Sequence, residues 1–181
     1  MWCAGRSGIR WWAPAAVLCL LAGAWPGAAS QTYPGPPSVA ELSRRADAVV
    51  IGEVLSVAGV WDAAGRTIHT RVELAVAETL KGGEASRLTF IQVGGRVGDR
   101  ISTVAGAATF EGGERVLVFL ERAPDGSLRL TDPLHGKFRI ERDAATGRDD
   151  LVRVTGAPKV DRTPLEQARV EVRRALGGSG S

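Results

Sequence analysis

The chain has 181 residues, of which 44% are hydrophobic, 24% charged and 6% aromatic, and its formal net charge is +3. This composition excludes an extended disordered chain, and a single long apolar stretch excludes a membrane protein with several spans. The length suits one domain, and the sequence pI near 9.3 raises the question of where the positive charge lies.

The N-terminus has the three parts of a secretory signal peptide. Arg6 and Arg10 supply positive charge without any acidic residue, and residues 13–24 form an apolar run. This run is too short to span a bilayer, which needs about 20 apolar residues. Small residues at 28–30 complete the pattern, so we expect cleavage after Ser30 and export to the periplasm or the medium. An uncleaved N-terminal anchor is the alternative.

Removal of the signal peptide, residues 1–30, changes both the cysteine content and the charge. The segment contains both cysteines, Cys3 and Cys19, together with two arginines and no acidic residue. The mature chain is therefore expected to lack thiols, disulfides and thiolate metal sites. Its formal charge falls from +3, by the two lost arginines, to +1. No basic excess favours nucleic acid, and no stable membrane anchor remains.

A single domain is expected at residues 38–176. A disordered lead-in rich in Pro and Gly precedes it at 31–37, and a flexible tail follows at 177–181. Ser38 followed by Glu41 has the pattern of a capping box, which predicts a short helix directly after Ser38.

Strands are predicted after the first helix, because the period of the hydrophobic residues changes there to two. Residues 48–57 are apolar on both faces, as in a buried central strand, with Gly52 as a candidate bulge. After a turn, residues 67–78 alternate between apolar and polar positions, and residues 115–122 are again apolar on both faces. Shorter strands are predicted at residues 88–93, 127–130, 138–141 and 151–154.

Residues 96–113 form the least regular stretch of the chain, and they are rich in glycine. Such a loop is either mobile or functional. Near the C-terminus, Thr163 and Glu166 form a second capping-box pattern with Pro164 at the first helical position. This pattern predicts a C-terminal helix that ends at Leu176.

The order of these elements predicts a mainly β fold. Five or six short strands between two helices indicate a small antiparallel OB-like barrel with a short N-terminal helix and a C-terminal helix. The absence of βαβ alternation argues against a doubly wound nucleotide-binding sheet.

Four segments carry a resemblance to a known family: ADAVVIGEV at 46–54, ETLKG at 78–82, FEGGERVLVFL at 110–120 and GKF at 136–138. In this layout the chain resembles a family of uncharacterised exported bacterial β-barrel proteins. More distantly, it is similar to the netrin-like OB barrel of tissue inhibitors of metalloproteinases. The resemblance covers roughly residues 39–141 and implies a fold rather than a function. Those inhibitors use an N-terminal cysteine and disulfides, which the mature chain lacks.

Catalytic and metal-binding candidates are few. His69 lies on the outward face of the second predicted strand, so we expect a solvated strand residue. His135 lies in a loop with Asp132, where a general base with a carboxylate partner would suit a hydrolase, although no G-x-S-x-G nucleophile pattern accompanies it. The carboxylates of residues 143–150 suit a solvated hairpin better than a calcium site, and neither a metal nor a cofactor is expected.

Aromatic side chains at the loops provide the remaining candidates for a binding site. Nucleic acid is not expected as a partner, because the mature chain is near neutral, exported and poor in aromatic residues for base stacking. Trp61 at a hairpin tip, Arg96 and Phe110 form the candidate surface for a protein partner. The alternative for each of the two aromatic residues is that it caps one end of the barrel.

The sequence thus leaves two functional hypotheses. The first is a non-catalytic exported binding module, a partner or inhibitor of an extracytoplasmic enzyme, which contacts that enzyme through residues 96–113 and the Trp61 hairpin. The alternative is a hydrolase that uses His135 with a nearby carboxylate. The absence of a recognisable nucleophile favours the binding module.

Overall fold

A computed structural model of the chain describes residues 35–154 and 160–177, which belong to one compact unit. The predicted signal peptide, most of the predicted lead-in and residues 178–181 of the predicted tail lie outside the described residues. Among the described residues, no helix is long and apolar enough to cross a membrane.

The described residues form ten strands and two helices. In chain order these are α1 (Val39–Arg45), β1 (Ala48–Trp61), β2 (Ile68–Lys81), β3 (Arg87–Val93), β4 (Gly95–Val97), β5 (Arg100–Ser102), β6 (Arg115–Arg122), β7 (Leu128–Leu130), β8 (Lys137–Arg142), β9 (Asp149–Val154), β10 (Val160–Pro164) and α2 (Leu165–Gly177).

Five of these strands close into a barrel in the order β1, β2, β3, β7, β6 and back to β1. Four of the five pairings are antiparallel, and the fifth joins β3 to β7 through one parallel pair, Ile91 with Arg129. This architecture confirms the predicted mainly β, OB-like barrel with a short helix near the N-terminus and a helix at the C-terminus.

Strand β6 separates two hydrophobic cores. Its even-numbered residues Val116 and Val118 face the barrel interior with Phe90, while Leu117 and Phe119 face a second core. The second core lies between β1, β6, β8 and β9 on one side and the two helices on the other. A strand that lies between two cores must be apolar on both faces, which explains the predicted pattern.

Strand β1 is buried on both faces only in its first half. Gly52 lies at a register irregularity with β2, and a Cβ there would come within 2.5 Å of the Ala75 carbonyl oxygen, so the predicted bulge is confirmed. The strand then continues to Trp61, beyond the end of β6. Leu55 and Val57 are 42% and 41% exposed, so the expectation of burial through Val57 is wrong.

Helix α1 begins as predicted. The Ser38 hydroxyl accepts a hydrogen bond from the Glu41 amide at 3.2 Å, and the Glu41 carboxylate accepts one from the Ser38 amide at 2.7 Å. This reciprocal pair satisfies two amides that the first turn leaves without helical partners.

Three boundaries differ from the predictions. The irregular stretch 96–113 contains the β4–β5 hairpin, whose strands have three residues each and are too short to show periodicity. Strand β10 reaches Pro164, so α2 begins at Leu165 rather than at Pro164. Proline is tolerated there because β10 pairs only with β9, and an edge strand does not need its amide. Gly177, predicted in the tail, is helical.

Candidate functional site

The β4–β5 hairpin packs on the inner face of a wall formed by β1 and β2, at one end of the barrel. Two glycines allow this close packing. A Cβ on Gly59 of β1 would overlap the carbonyl oxygen of Arg96, and a Cβ on Gly95 would lie 2.5 Å from the Thr70 hydroxyl. The Thr70 hydroxyl also donates a hydrogen bond to the Gly94 carbonyl at 2.8 Å. Backbone contact therefore fixes the hairpin on the wall.

The loop that follows the hairpin is held by buried polar groups. Gln92 of β3 is 3% exposed, and its amide nitrogen donates to the carbonyl oxygens of Ala108 at 3.2 Å and Pro133 at 2.9 Å. Lys137 donates to the Thr109 carbonyl oxygen from the other side. The loop is thus a fixed part of the barrel end, although its glycine content also suited a mobile segment.

Exposed apolar side chains gather around this hairpin. Ile101 is 58% exposed, Val104 42%, Val57 41% and Trp61 38%. A groove of about 310 Å³ lies among Val57, Ile101 and Val104, and a second groove separates Ile101 from Trp61. We define the hairpin surface as the following six residues: Val57, Trp61, Arg96, Arg100, Ile101 and Val104.

The charge around the two grooves is positive. Arg96 lines the first groove, and Arg66 and Arg100 line the second, whereas no carboxylate of the described residues lines either one. The guanidinium carbon of Arg100 lies 5.9 Å from the centre of the Trp61 ring, within the range of a cation–π contact. The hairpin surface therefore combines an apolar centre with a cationic rim.

Phe110 does not belong to the hairpin surface. It is only 8% exposed, and its ring meets Phe90 edge-on with centroids 5.2 Å apart. The Lys137 ammonium lies 4.6 Å from the centre of the Phe110 ring. Of the two alternatives for Phe110, the structure supports the cap on the barrel, because the loop carries the ring inward over the core. Trp61 and Arg96 remain exposed.

Beneath Phe110, a buried ion-pair cluster joins the loop to β8. Glu114 accepts hydrogen bonds from Lys137 at 2.7 Å and from Arg139 at 2.8 Å, and its side chain is only 7% exposed. Burial by itself raises the pKa of Glu114, but the hydrogen bonds from Lys137 and Arg139 outweigh that effect and hold the pKa below its usual value of 4.5. Glu114 is therefore ionised at neutral pH.

The structure brings His135 and Asp132 together. His135 Nδ1 lies 3.2 Å from Asp132 Oδ1, which also accepts hydrogen bonds from the backbone amides of Leu134 and His135, both at 2.9 Å. Burial raises the pKa of Asp132, whereas these amides and His135 lower it to below its usual value. This carboxylate orders the turn through its amide bonds and also orients the imidazole.

The other candidate side chains have structural roles. His69 lies on the outward face as predicted, between Val60 and Val93 on the neighbouring strands, but it is half-buried and only partly solvated, and its Nδ1 has no hydrogen-bond partner among the described residues. Asp143 accepts backbone hydrogen bonds within its own turn, and Asp149 pairs with Arg115 at 2.9 Å. Across residues 35–154 and 160–177, no cluster of three or more His, Cys, Asp or Glu side chains suits a metal ion.

Three residues of this barrel end were missed by sequence reasoning. Ile101 and Val104 lie in a stretch without periodicity, and only their isolation among polar and small residues marked them. Gln92 gave a clearer signal, because it is a polar residue inside the otherwise apolar C-terminal half of a predicted strand. A comparison with protein-family models finds no match to the chain, and a comparison with curated proteins finds no significant match.

Proposed function

We propose that the protein is a non-catalytic exported binding module, a partner or inhibitor of an extracytoplasmic enzyme. The observation that carries this proposal is the hairpin surface, where exposed Trp61 and Ile101 flank grooves on a fixed scaffold. Large apolar side chains exposed together on one concave surface are typical of protein contact sites. The predicted signal peptide supports export.

The cationic rim defines the chemistry of the partner. Arg66, Arg96 and Arg100 surround the grooves, and no carboxylate within residues 35–154 and 160–177 lines them, so a partner segment with an apolar side chain flanked by Asp or Glu fits best. Because hydrogen bonds already hold the hairpin and its loop in place, binding needs little ordering of this surface, and the entropic cost is correspondingly small.

We expect Ile101→Ser and Arg96→Glu each to weaken partner binding about tenfold or more, since central contact residues account for most interface energy. The chain is expressed from its complete sequence, crosslinked in its native compartment, and the captured protein is then tested for direct binding to the purified variants. Val170→Ser on α2 and Arg148→Glu in the β8–β9 turn are matched exposed controls. If the controls weaken capture as much as the two surface variants, the hairpin surface is not the contact site.

A hydrolase that uses His135 is the second candidate function, favoured by the 3.2 Å contact between His135 and Asp132. In that case His135→Ala would lower turnover of an ester, glycoside or peptide substrate about 100-fold or more, as loss of a general base does. We instead expect wild type and His135→Ala to give the same background rate on such a panel. Turnover that depends on His135 would show that the protein is a hydrolase and would contradict the proposal of a non-catalytic binding module.

A further inference from the structure

The outer half of β1, residues 55–61, has one edge without a strand partner. On this side β6 pairs with β1 only from Ala48 to Glu53, and Val54 is the last residue to exchange hydrogen bonds there, with the loop at Gly113 and Glu114. Beyond Val54, no backbone group of the described residues bonds to this edge. Alternate residues of an antiparallel strand direct their amide and carbonyl groups away from the paired neighbour, so this edge has unpaired groups.

The edge has one feature that hinders strand pairing, a bulge between Val54 and Ser56 at its inner end, and it lacks the others. Residues 55–61 contain no charged residue and no proline, and Leu55, Val57 and Trp61 are exposed. Natural sheets protect long edges with bulges, Lys, Pro, a covering loop or inward-pointing charges, and here residues 57–61 continue the pairing with β2 without a further irregularity. An exposed apolar edge that carries neither charge nor proline is a template for an added strand.

We propose that this edge pairs with the same edge of a second copy of the chain, so that two barrels form a symmetric dimer through antiparallel β1 strands. A two-fold axis at Ala58, the middle residue of the segment, sets Leu55 of each copy opposite Trp61 of the other. The same register sets Val57 opposite Gly59, Ser56 opposite Val60 and Ala58 opposite its own copy, so no pair joins two charged residues.

Charge complementarity favours a second copy over an unrelated strand. One end of the edge has exposed Glu53 and Glu111, and the Arg115 opposite Glu53 is already paired with Asp149, so this end is acidic on balance. The other end has Arg66 and Arg100 against one acidic residue, Asp62, and is basic on balance. Antiparallel pairing of two identical edges places the acidic end of each copy next to the basic end of the other. This arrangement provides two equivalent sets of attractive charges for one contact.

The dimer contact does not depend on the proposed function. Trp61 belongs both to the hairpin surface and to the edge, so a Trp61 variant cannot separate the two. Ala58 separates them, because it lies opposite Arg71 on the outer face of the wall, away from the hairpin. Ile101, in turn, belongs to the hairpin surface and is not part of the edge.

The test uses opposite charges at Ala58. In the monomer, Ala58→Glu lies opposite Arg71 and is compatible with folding, but across the two-fold axis two like charges face each other. We expect wild type to dimerise with rising concentration in sedimentation equilibrium, and Ala58→Glu and Ala58→Lys each to raise the dimer dissociation constant about tenfold or more. An equimolar mixture of the two variants should recover dimers, since opposite charges then meet.

Ile101→Ser and Ala144→Glu are the controls, and we expect both to dimerise like wild type. Circular dichroism checks that each variant is folded, and the Glu variant allows the test even if the Lys variant, which faces Arg71 with a like charge, fails to fold. A wild-type chain that stays monomeric at every concentration overturns the proposal. A dimer whose dissociation constant does not change in the Ala58 variants also overturns it. The same holds if the mixture of the two variants does not recover dimers, or if Ile101→Ser weakens the dimer.

Discussion

Replacing Lys137 with Met is expected to lower the free energy of unfolding by about 3 kcal/mol, which is typical of removing one partner from a buried ion pair. The variant leaves the Glu114 carboxylate buried with Arg139 alone, and the Thr109 carbonyl loses its ammonium donor. Chemical denaturation at neutral pH measures the change. Arg87→Met, which breaks an exposed pair with Glu73, should change stability by no more than about 0.5 kcal/mol.

The pH dependence of the stability difference between wild type and Lys137→Met tests whether the ion pair with Glu114 causes it. Because the folded-state pKa of Glu114 is lowered, its stabilisation is complete above the ordinary pKa of 4.5 and is lost as the pH falls through the folded value. The stability gap between wild type and Lys137→Met should therefore narrow at acid pH. A gap that stays constant from neutral to acid pH would mean that lost packing on Phe110, rather than the ion pair, causes the effect.

Replacing Gly59 with Ala is expected to displace the β4–β5 hairpin and to weaken partner binding more than any single change on the hairpin surface. The added Cβ would overlap the Arg96 carbonyl oxygen, which is backbone and cannot rotate away. Overpacking of this kind costs about 1–3 kcal/mol if the neighbours move together. Hydrogen exchange should accelerate at residues 95–102, and binding of the crosslinked partner should fall about tenfold or more.

Gly83→Ala is the matched control, because a Cβ at Gly83 meets nothing within 4 Å and the backbone there is not in the left-handed region. We expect this variant to bind and to exchange like wild type. Normal protection of residues 95–102 in Gly59→Ala would show that the hairpin does not need this close packing. Lost protection with normal partner binding would remove the hairpin from the contact site.

The parts of the fold that were predicted correctly have strong local signals. The capping box of Ser38 and Glu41 fixes the start of α1, and the alternation over residues 67–78 reports a strand with one buried face. The apolar run of β6 reports two buried faces, and the structure has a core on each side of it. In each case the local pattern agrees with the tertiary environment, so propensity and packing point the same way.

The parts that were missed depend on tertiary contacts. The three-residue strands β4 and β5 are held by their packing on Gly59 and by Thr70, neither of which is close in sequence. The outer half of β1 is as apolar as the inner half, but it is exposed because β6 pairs with β1 only as far as Glu53. Burial of Phe110 likewise depends on Phe90 and Lys137, which lie in other strands.

The binding surface was predicted in part. Trp61 and Arg96 were identified because a hairpin tip and a glycine-rich loop are usually exposed, and the structure leaves both exposed near the same grooves. Ile101 and Val104 were missed because an isolated apolar residue in a loop has no periodic partner that would reveal its direction. The pairing of His135 with Asp132 followed directly from their spacing within one turn.

Strand β6, which lies between the two cores beside the inner half of β1, links events at the barrel end to the helices. Since Leu117 and Phe119 pack under the helices while Val116 and Val118 fill the barrel, loss of β6 exposes both cores at once. Barrel and helices should therefore melt in one cooperative transition. By thermodynamic linkage, a partner bound at the hairpin surface raises the melting temperature of the distant helix α2 as much as that of the barrel.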